Sequence, residues 1–445
     1  MLIPHQLECV IKKELSEIRL LSQLLTNHII KLVFLIFAIY KYKLMIQNQS
    51  IIKINYKLLE LSFFALPFRY EITSVCIFCM FFLSVFDLIK NKTNIFKKIN
   101  LTILFLLLYF TIDLIGIIYS ENKSFGFKDL ESKLFFAIAP VIFLSNNFSK
   151  ITIIKSLKNF IFGTTIVLLI QYGFAFNYFI KYNSIPNYVN FSFYMHPTYY
   201  SLYQLFSVIL LLKLKNTFPK RWMYYFILLL LYIGIILTNS KAGTLSFLIF
   251  ILIIIIRFLL KQKRIYLIST LSALMIVSIL VFQRLESSRF SELKTSFNFP
   301  YQTEYNSIYN STQIRIIIWR SVREIIQNKP FFGTGTGDIK DELIYEFQKI
   351  KFQNGIDNNY NCHNQFLQII ATFGYVLGVP ILVLYGYSIY RSIKTKNYLY
   401  IFLNLFISFN LLFESMLESK AGIEFFVLFN LILFALENKL TQDEF

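Results

Sequence analysis

Residues 361–390 read "NCHNQFLQIIATFGYVLGVPILVLYGYSIY". A histidine, His363, stands at the mouth of this run, and no charged residue follows until Arg391. A helix of ~20 apolar residues is long enough to cross the ~30 Å hydrocarbon core of a bilayer. In lipid every backbone N–H and C=O needs an internal partner, which leaves helices or closed barrels. The alternating pattern of barrel strands is absent, so the stretch reads as a helix. Comparable runs, several of them short, recur at 56–69, 72–90, 101–119, 133–146, 159–180, 198–214, 222–237, 244–260, 265–282, 366–390, 397–413 and 423–436. The expectation is an all-α polytopic membrane protein of about twelve transmembrane helices, with one large exterior (periplasmic) loop containing short helices. Composition agrees: over 445 residues the chain is 56% hydrophobic and only 16% charged, where soluble domains carry about 25% charged residues.

The formal charge is +19, from 44 lysines and arginines against 25 acids. In a soluble protein that would suggest nucleic acid. In a membrane protein the first question is which connections hold the cations. "KNKTNIFKKIN" (90–100), "NNFSKITIIKSLKN" (146–159), "KLKNTFPKR" (213–221), "RFLLKQKR" (257–264) and "RSIKTK" (391–396) all fall on one side of the spans. Positive connections stay in the cytoplasm, so both termini are expected there. The charge is then a topology signal, and no nucleic-acid partner is expected. The start, "MLIPHQLECVIKKELSEIRLL" (1–21), carries acids and no small-residue cleavage site, so no cleavable signal peptide is expected. The segment 29–46, broken by Lys31, Lys41 and Lys43, reads as a surface helix or an extra span. Four segments result: an N-terminal cytoplasmic or interfacial piece (1–55), nine spans (56–282), the exterior loop (283–363), and three spans with a cytoplasmic tail (364–445).

Long loops between spans usually carry function. Within this one, "STQIRIIIWRSVREIIQ" (311–327) reads as a helix capped by Ser311 or Thr312, its apolar face made by Ile314, Ile317, Ile318, Ser321 and Ile325. "DIKDELIYEFQKIKF" (338–352) reads as a second helix, capped by Asp338. Between them, "NKPFFGTGTGD" (328–338) is either a loop-shaping turn or a set of backbone N–H groups placed near a phosphate-bearing substrate. A nucleotide-binding P-loop is excluded, because no Lys-Ser/Thr follows the glycines and no strand precedes them. Helical spacing puts His363, Gly374 and Gly378 near one face, where the glycines would let another helix approach. An imidazole there can act as a base near neutral pH. His196 precedes Pro197 at the end of another span, as a helix cap or a substrate contact. Cys76 and Cys79 read as packing residues; Cys362, adjacent to His363, points away from it on a helix.

These residues carry a resemblance. His363 and Asn364, then about nine apolar positions, then Gly374 and Gly378, resemble the loop-closing motif of the O-antigen ligase and polymerase superfamily of bacterial envelope enzymes. "LTNSKAG" (237–243) resembles that family's Ser-Arg-Gly turn, with Lys241 in place of the arginine. "RIIIWRSVREIIQNKPFFGTGTGD" (315–338) resembles its Arg…Trp…Asn-Pro…Gly-x-Gly stretch, and a third glycine of the closing motif is replaced near Leu382. The resemblance is strongest over 190–390. It implies transfer of a glycan from a polyprenyl-pyrophosphate carrier to an acceptor hydroxyl at the periplasmic face of the bacterial inner membrane. The acceptor is a lipid A-core sugar in ligases, another carrier-linked repeat unit in polymerases, and a protein in some relatives; the ligase branch is slightly favoured. It implies His363 as general base, Arg315, Lys241 and Arg320 as pyrophosphate ligands, and His196, Asn364 and Trp319 as possible substrate contacts. Lysine neutralises a phosphate without holding it bidentately, so Lys241 is second to Arg315. No cofactor and no metal are expected, and membrane lipids are partners. A transporter or lipid flippase is the alternative of another class. Against it, the spans are nearly free of midspan charge, Asp113 excepted, and no internal repeat is visible.

Overall fold

The computed structural model describes residues 48–68, 70–91, 99–186, 188–259 and 309–437, with positions 272, 275, 276, 296, 299, 300, 302, 304 and 305. The expected span 265–282 lies almost wholly outside the described residues, as do the segment 29–46 and most of 283–308. The described residues are helical, with no strand among them. In chain order the helices are α1 (Asn48–Ala65), α2 (Tyr70–Asn91), α3 (Leu101–Ile118), α4 (Lys123–Lys133), α5 (Phe135–Ser145), α6 (Lys150–Tyr182), α7 (Pro197–Lys213), α8 (Arg221–Thr238) and α9 (Lys241–Leu259). They continue with α10 (Ser311–Asn328), α11 (Ile339–Lys349), α12 (Gln353–Asn358), α13 (Gln365–Lys394), α14 (Tyr398–Leu411) and α15 (Lys420–Glu437).

Five of these helices are long and apolar enough to cross a membrane: α2 from Glu71, α3, α6, α8 and α13. The chain is an integral membrane protein. The stretch expected as a span over 133–146 is α5, only 11 residues long and containing Pro140, and Leu134 separates it from the short polar α4. At 1.5 Å per residue α5 covers about half the hydrocarbon thickness. Helix α7 is the centre of the bundle: every residue from Pro197 to Leu211 is buried. Aromatic rings bind it to α6 and α15, with Phe425 stacked on Tyr203 at 4.5 Å and Phe160 tilted against Tyr203 at 5.6 Å.

The loop helices have a small core of their own. Ile317, Ile318, Val322 and Ile325 of α10 pack with Leu343 and Phe347 of α11, with Phe352, and with Cys362. Helix α10 begins one residue earlier than expected, on a capping box in which Asn310 accepts from Thr312 and Gln313 while Gln313 bonds back. Asp338 caps a different helix start: its carboxylate accepts from the Glu121 and Asn122 N–H groups, both at 2.8 Å.

Helix α13 is broken at Gly374, whose φ of 66° and ψ of −174° are open to glycine alone. The glycine loop fills the break. Thr334 and Gly335 donate to the carbonyls of Ala371 (2.9 Å) and Thr372 (2.8 Å), and Tyr375 and Val376 donate to Pro330 (2.8 Å) and Phe331 (3.0 Å). Gly337 donates to Ser120 Oγ at 2.9 Å. One expectation is corrected here, and one of two alternatives is favoured. Gly374 admits a loop rather than a second helix. The N–H groups of 334, 335 and 337 are bonded within the protein, so the glycines shape a turn and form no anion cradle. A Cβ at Gly374 would lie 2.2 Å from the Phe331 carbonyl oxygen. Gly374→Ala is therefore expected to lower the melting temperature in detergent sharply, since the backbone strain alone costs about 1–3 kcal/mol. Gly173→Ala, where a Cβ meets nothing within 4 Å, is the control and should leave it unchanged or raised.

Candidate functional site

Asn364 starts α13 as its N-cap, accepting from Phe366 and Leu367, both at 3.0 Å. The cap turns the preceding residue sharply, and His363 adopts a left-handed φ of 44°. Its ring, 19% exposed, points to the turn after α14, where Nδ1 lies 3.0 Å from Glu414 Oε1. The other carboxylate oxygen of Glu414 lies 3.5 Å from the Arg315 guanidinium. Arg315 is fixed further by the carbonyls of Phe413 (3.1 Å) and Ser311 (3.2 Å). Ser311 also meets Lys241, whose Nζ lies 3.4 Å from its hydroxyl. Lys241 and Arg315 thus border the same first turn of α10.

Glu414 is buried. Burial alone would raise its pKa. The hydrogen bond from His363, with the charges of His363, His196 and Arg315, outweighs that and holds the carboxyl below the ordinary range. Glu414 is therefore ionised at neutral pH and can only accept. Nδ1 of His363 is then the donor in this bond, which leaves Nε2 as the ring nitrogen that faces away from Glu414. His196 lies within electrostatic range of the same groups: the residue is exposed, yet surrounding protein lowers its pKa by desolvation, with Glu414 opposing and Arg315 and His363 adding. Arg315 and Lys241 place two cations near Glu414, a composition that suits an anionic ligand.

The turn that presents Glu414 is anchored from behind. Gln365 accepts from Leu417 N–H (2.7 Å) and donates to Glu418 (2.8 Å). Glu418 also pairs at 2.9 Å with Lys133, a buried lysine that meets Asp113 (3.1 Å) and Asp129 (2.7 Å) as well. This explains the one midspan charge, Asp113: it is a structural partner, and Thr336 of the glycine loop donates to its carbonyl at 2.7 Å.

The structure brings His363, Arg315 and Lys241 together through Glu414 and Ser311, with His196 in electrostatic range. It does not bring Arg320 there. Five positions from Arg315 is ~140° round a helix, and Arg320 bonds the carbonyls of Pro300 (2.7 Å) and Phe299 (2.8 Å). Trp319 donates from Nε1 to the Cys362 carbonyl at 3.1 Å, holding the backbone next to His363. The Asn364 side-chain oxygen is occupied by its cap. Sequence reasoning missed Glu414. Its signal was the pair of acids in "ESMLESKAG" (414–422), at the end of a span opposite the basic connections. Among the described residues no group of three or more His, Cys, Asp or Glu is placed to hold a metal.

Residues 225–382 match the family model described as O-Antigen ligase. The match includes His363, Arg315 and Lys241; His196 and Glu414 lie outside it. Comparison with curated proteins gives no match. This match, over less than half of the chain, supports a relation to the O-antigen ligase superfamily.

Proposed function

We propose that the chain is an O-antigen ligase-type glycosyltransferase, moving a glycan from polyprenyl pyrophosphate to an acceptor hydroxyl, with a lipid A-core sugar as acceptor. The observation that carries the reading is one buried carboxylate shared by an imidazole and a guanidinium. The basic connections favour a placement of this recess at the periplasmic face of the bacterial inner membrane, both termini in the cytoplasm.

The acceptor oxygen attacks the anomeric carbon and its proton passes to Nε2 of His363. The bond from that carbon to the pyrophosphate oxygen breaks, and its electron pair leaves with the pyrophosphate. Glu414 stabilises the imidazolium that forms. Arg315 and Lys241 offset the charge that develops on the leaving group, more in the transition state than before it. In-line displacement inverts the anomeric centre. Pyrophosphate leaves readily and two cations neutralise it, so no cofactor or metal is given a step. Transfer by pure protein is expected to be unaffected by a chelator; loss on chelation with recovery in Mg²⁺ or Mn²⁺ would overturn that point.

The polysaccharide profile of a deletion strain tests the branch. Free lipid A-core with accumulated carrier-linked polymer supports the ligase. Core capped by a single repeat unit indicates a repeat-unit polymerase, and an unchanged profile with unglycosylated envelope proteins indicates a protein O-oligosaccharyltransferase.

A further inference from the structure

The glycine loop begins with Pro330, Phe331 and Phe332, and the two phenylalanines are 68% and 55% exposed. They are held there rigidly. Phe331 accepts from Val376 N–H and Phe332 accepts from the Tyr119 hydroxyl at 2.8 Å. Around them lie further exposed apolar side chains: Tyr375 and Val376 of α13, with Ile118 and Tyr119 at the end of α3. The pair therefore continues the apolar outer faces of two helices that are long enough to span a membrane.

Two independent measures fix its depth. Helix α13 ends in Arg391 and Lys394, cations suited to the far interface. Counting ~20 residues, or ~30 Å, back from Arg391 reaches Ala371, beside the bonds that hold Phe331. Helix α3 starts at Leu101 after a basic connection, and its 18 residues cover ~27 Å before Tyr119 meets Phe332. Both counts put the phenylalanines at one boundary between hydrocarbon and headgroups, on the side of His363. Aromatic side chains are favoured at that boundary. The irregular backbone beneath them is tolerable at this depth because the N–H groups of 334 and 335 are bonded to α13, that of 333 to Lys329 and that of 337 to Ser120.

We propose that Phe331 and Phe332 form a lipid-binding tip, inserted into the bilayer leaflet on the His363 side, which fixes the loop and its α10 arginine at the membrane surface. The occupant is the lipid itself: Phe331 and Phe332 are uncharged, the neighbouring Lys329 is paired with Glu342, and the surface is continuous with exposed apolar side chains of α3 and α13. The inference rests on the depth of the loop and is independent of the reaction assigned to the recess.

The test is tryptophan fluorescence of Phe332→Trp in vesicles, read as the difference from the parent protein, which carries Trp222 and Trp319. Tyr345→Trp, on an exposed position of α11, is the aqueous control. The new emission at 332 should be roughly halved by phospholipid brominated near the headgroup and untouched by iodide. The control should respond to iodide and not to bromolipid. Quenching of 332 by iodide, which would place the tip in water, overturns the proposal. Quenching by neither, which would place it under protein such as a second copy, overturns it as well.

Discussion

Replacing His363 with alanine is expected to lower glycan transfer by roughly 100- to 10,000-fold, the usual contribution of a positioned general base. The loss should fall on kcat. Arg315 and Lys241 are left in place, and the donor should bind nearly as before. Alanine is not the best substitution here, because His363 sits at a φ of 44°. Asparagine tolerates that conformation. His363→Asn should therefore fold and insert as the parent does, keep its donor, and lose transfer equally. Full transfer by His363→Asn would remove the imidazole from the mechanism.

Glu414→Gln is expected to cost on the order of 100- to 10,000-fold in kcat, the upper figure applying when loss of the orienting carboxylate leaves the wrong imidazole tautomer. The amide is nearly the size of the carboxylate but carries no charge. It presents an N–H₂ to either the imidazole or the Arg315 guanidinium, both of which are donors. A merely structural Glu414 would change stability and leave the pH profile of the rate alone; a positioning role moves that profile, because the imidazolium loses its anionic partner. The stability of the parent should depend on the same group. A carboxyl whose folded pKa is depressed contributes stability that is present above its unfolded pKa and is lost as the pH falls through the folded value. The parent should thus lose melting temperature on acidification below the ordinary carboxylate range more steeply than Glu414→Gln.

The helices and their apolar faces were legible because burial imposes a period. Ile317, Ile318 and Ile325 repeat at helical spacing and all lie in the loop core. The polar α4 was not, since Lys123–Lys133 has no apolar run and borders α5 only across Leu134. Gly374 and Gly378 read as a small-residue face, but the left-handed backbone at Gly374 is set by a distant loop, as the bond from Thr334 to Ala371, 37 positions on, shows. His363, Arg315 and Lys241 were found by motif and by side of the membrane. Arg320 shares the helix and the charge of Arg315 but faces away, a difference that only the rotation of α10 decides. Glu414 stood 51 residues from its histidine in an unremarkable turn, and pairing at that distance leaves no mark in one sequence.

The most direct test of the recess is a single-turnover experiment in vesicles, using a polyprenyl-pyrophosphate-linked glycan labelled on both lipid and sugar. The parent protein should release carrier pyrophosphate one-for-one with glycan joined to the acceptor, and His363→Asn should bind the donor and release nothing. If the parent instead delivers the donor to the opposite leaflet with both labels still joined, the chain moves lipid rather than sugar, and the account fails.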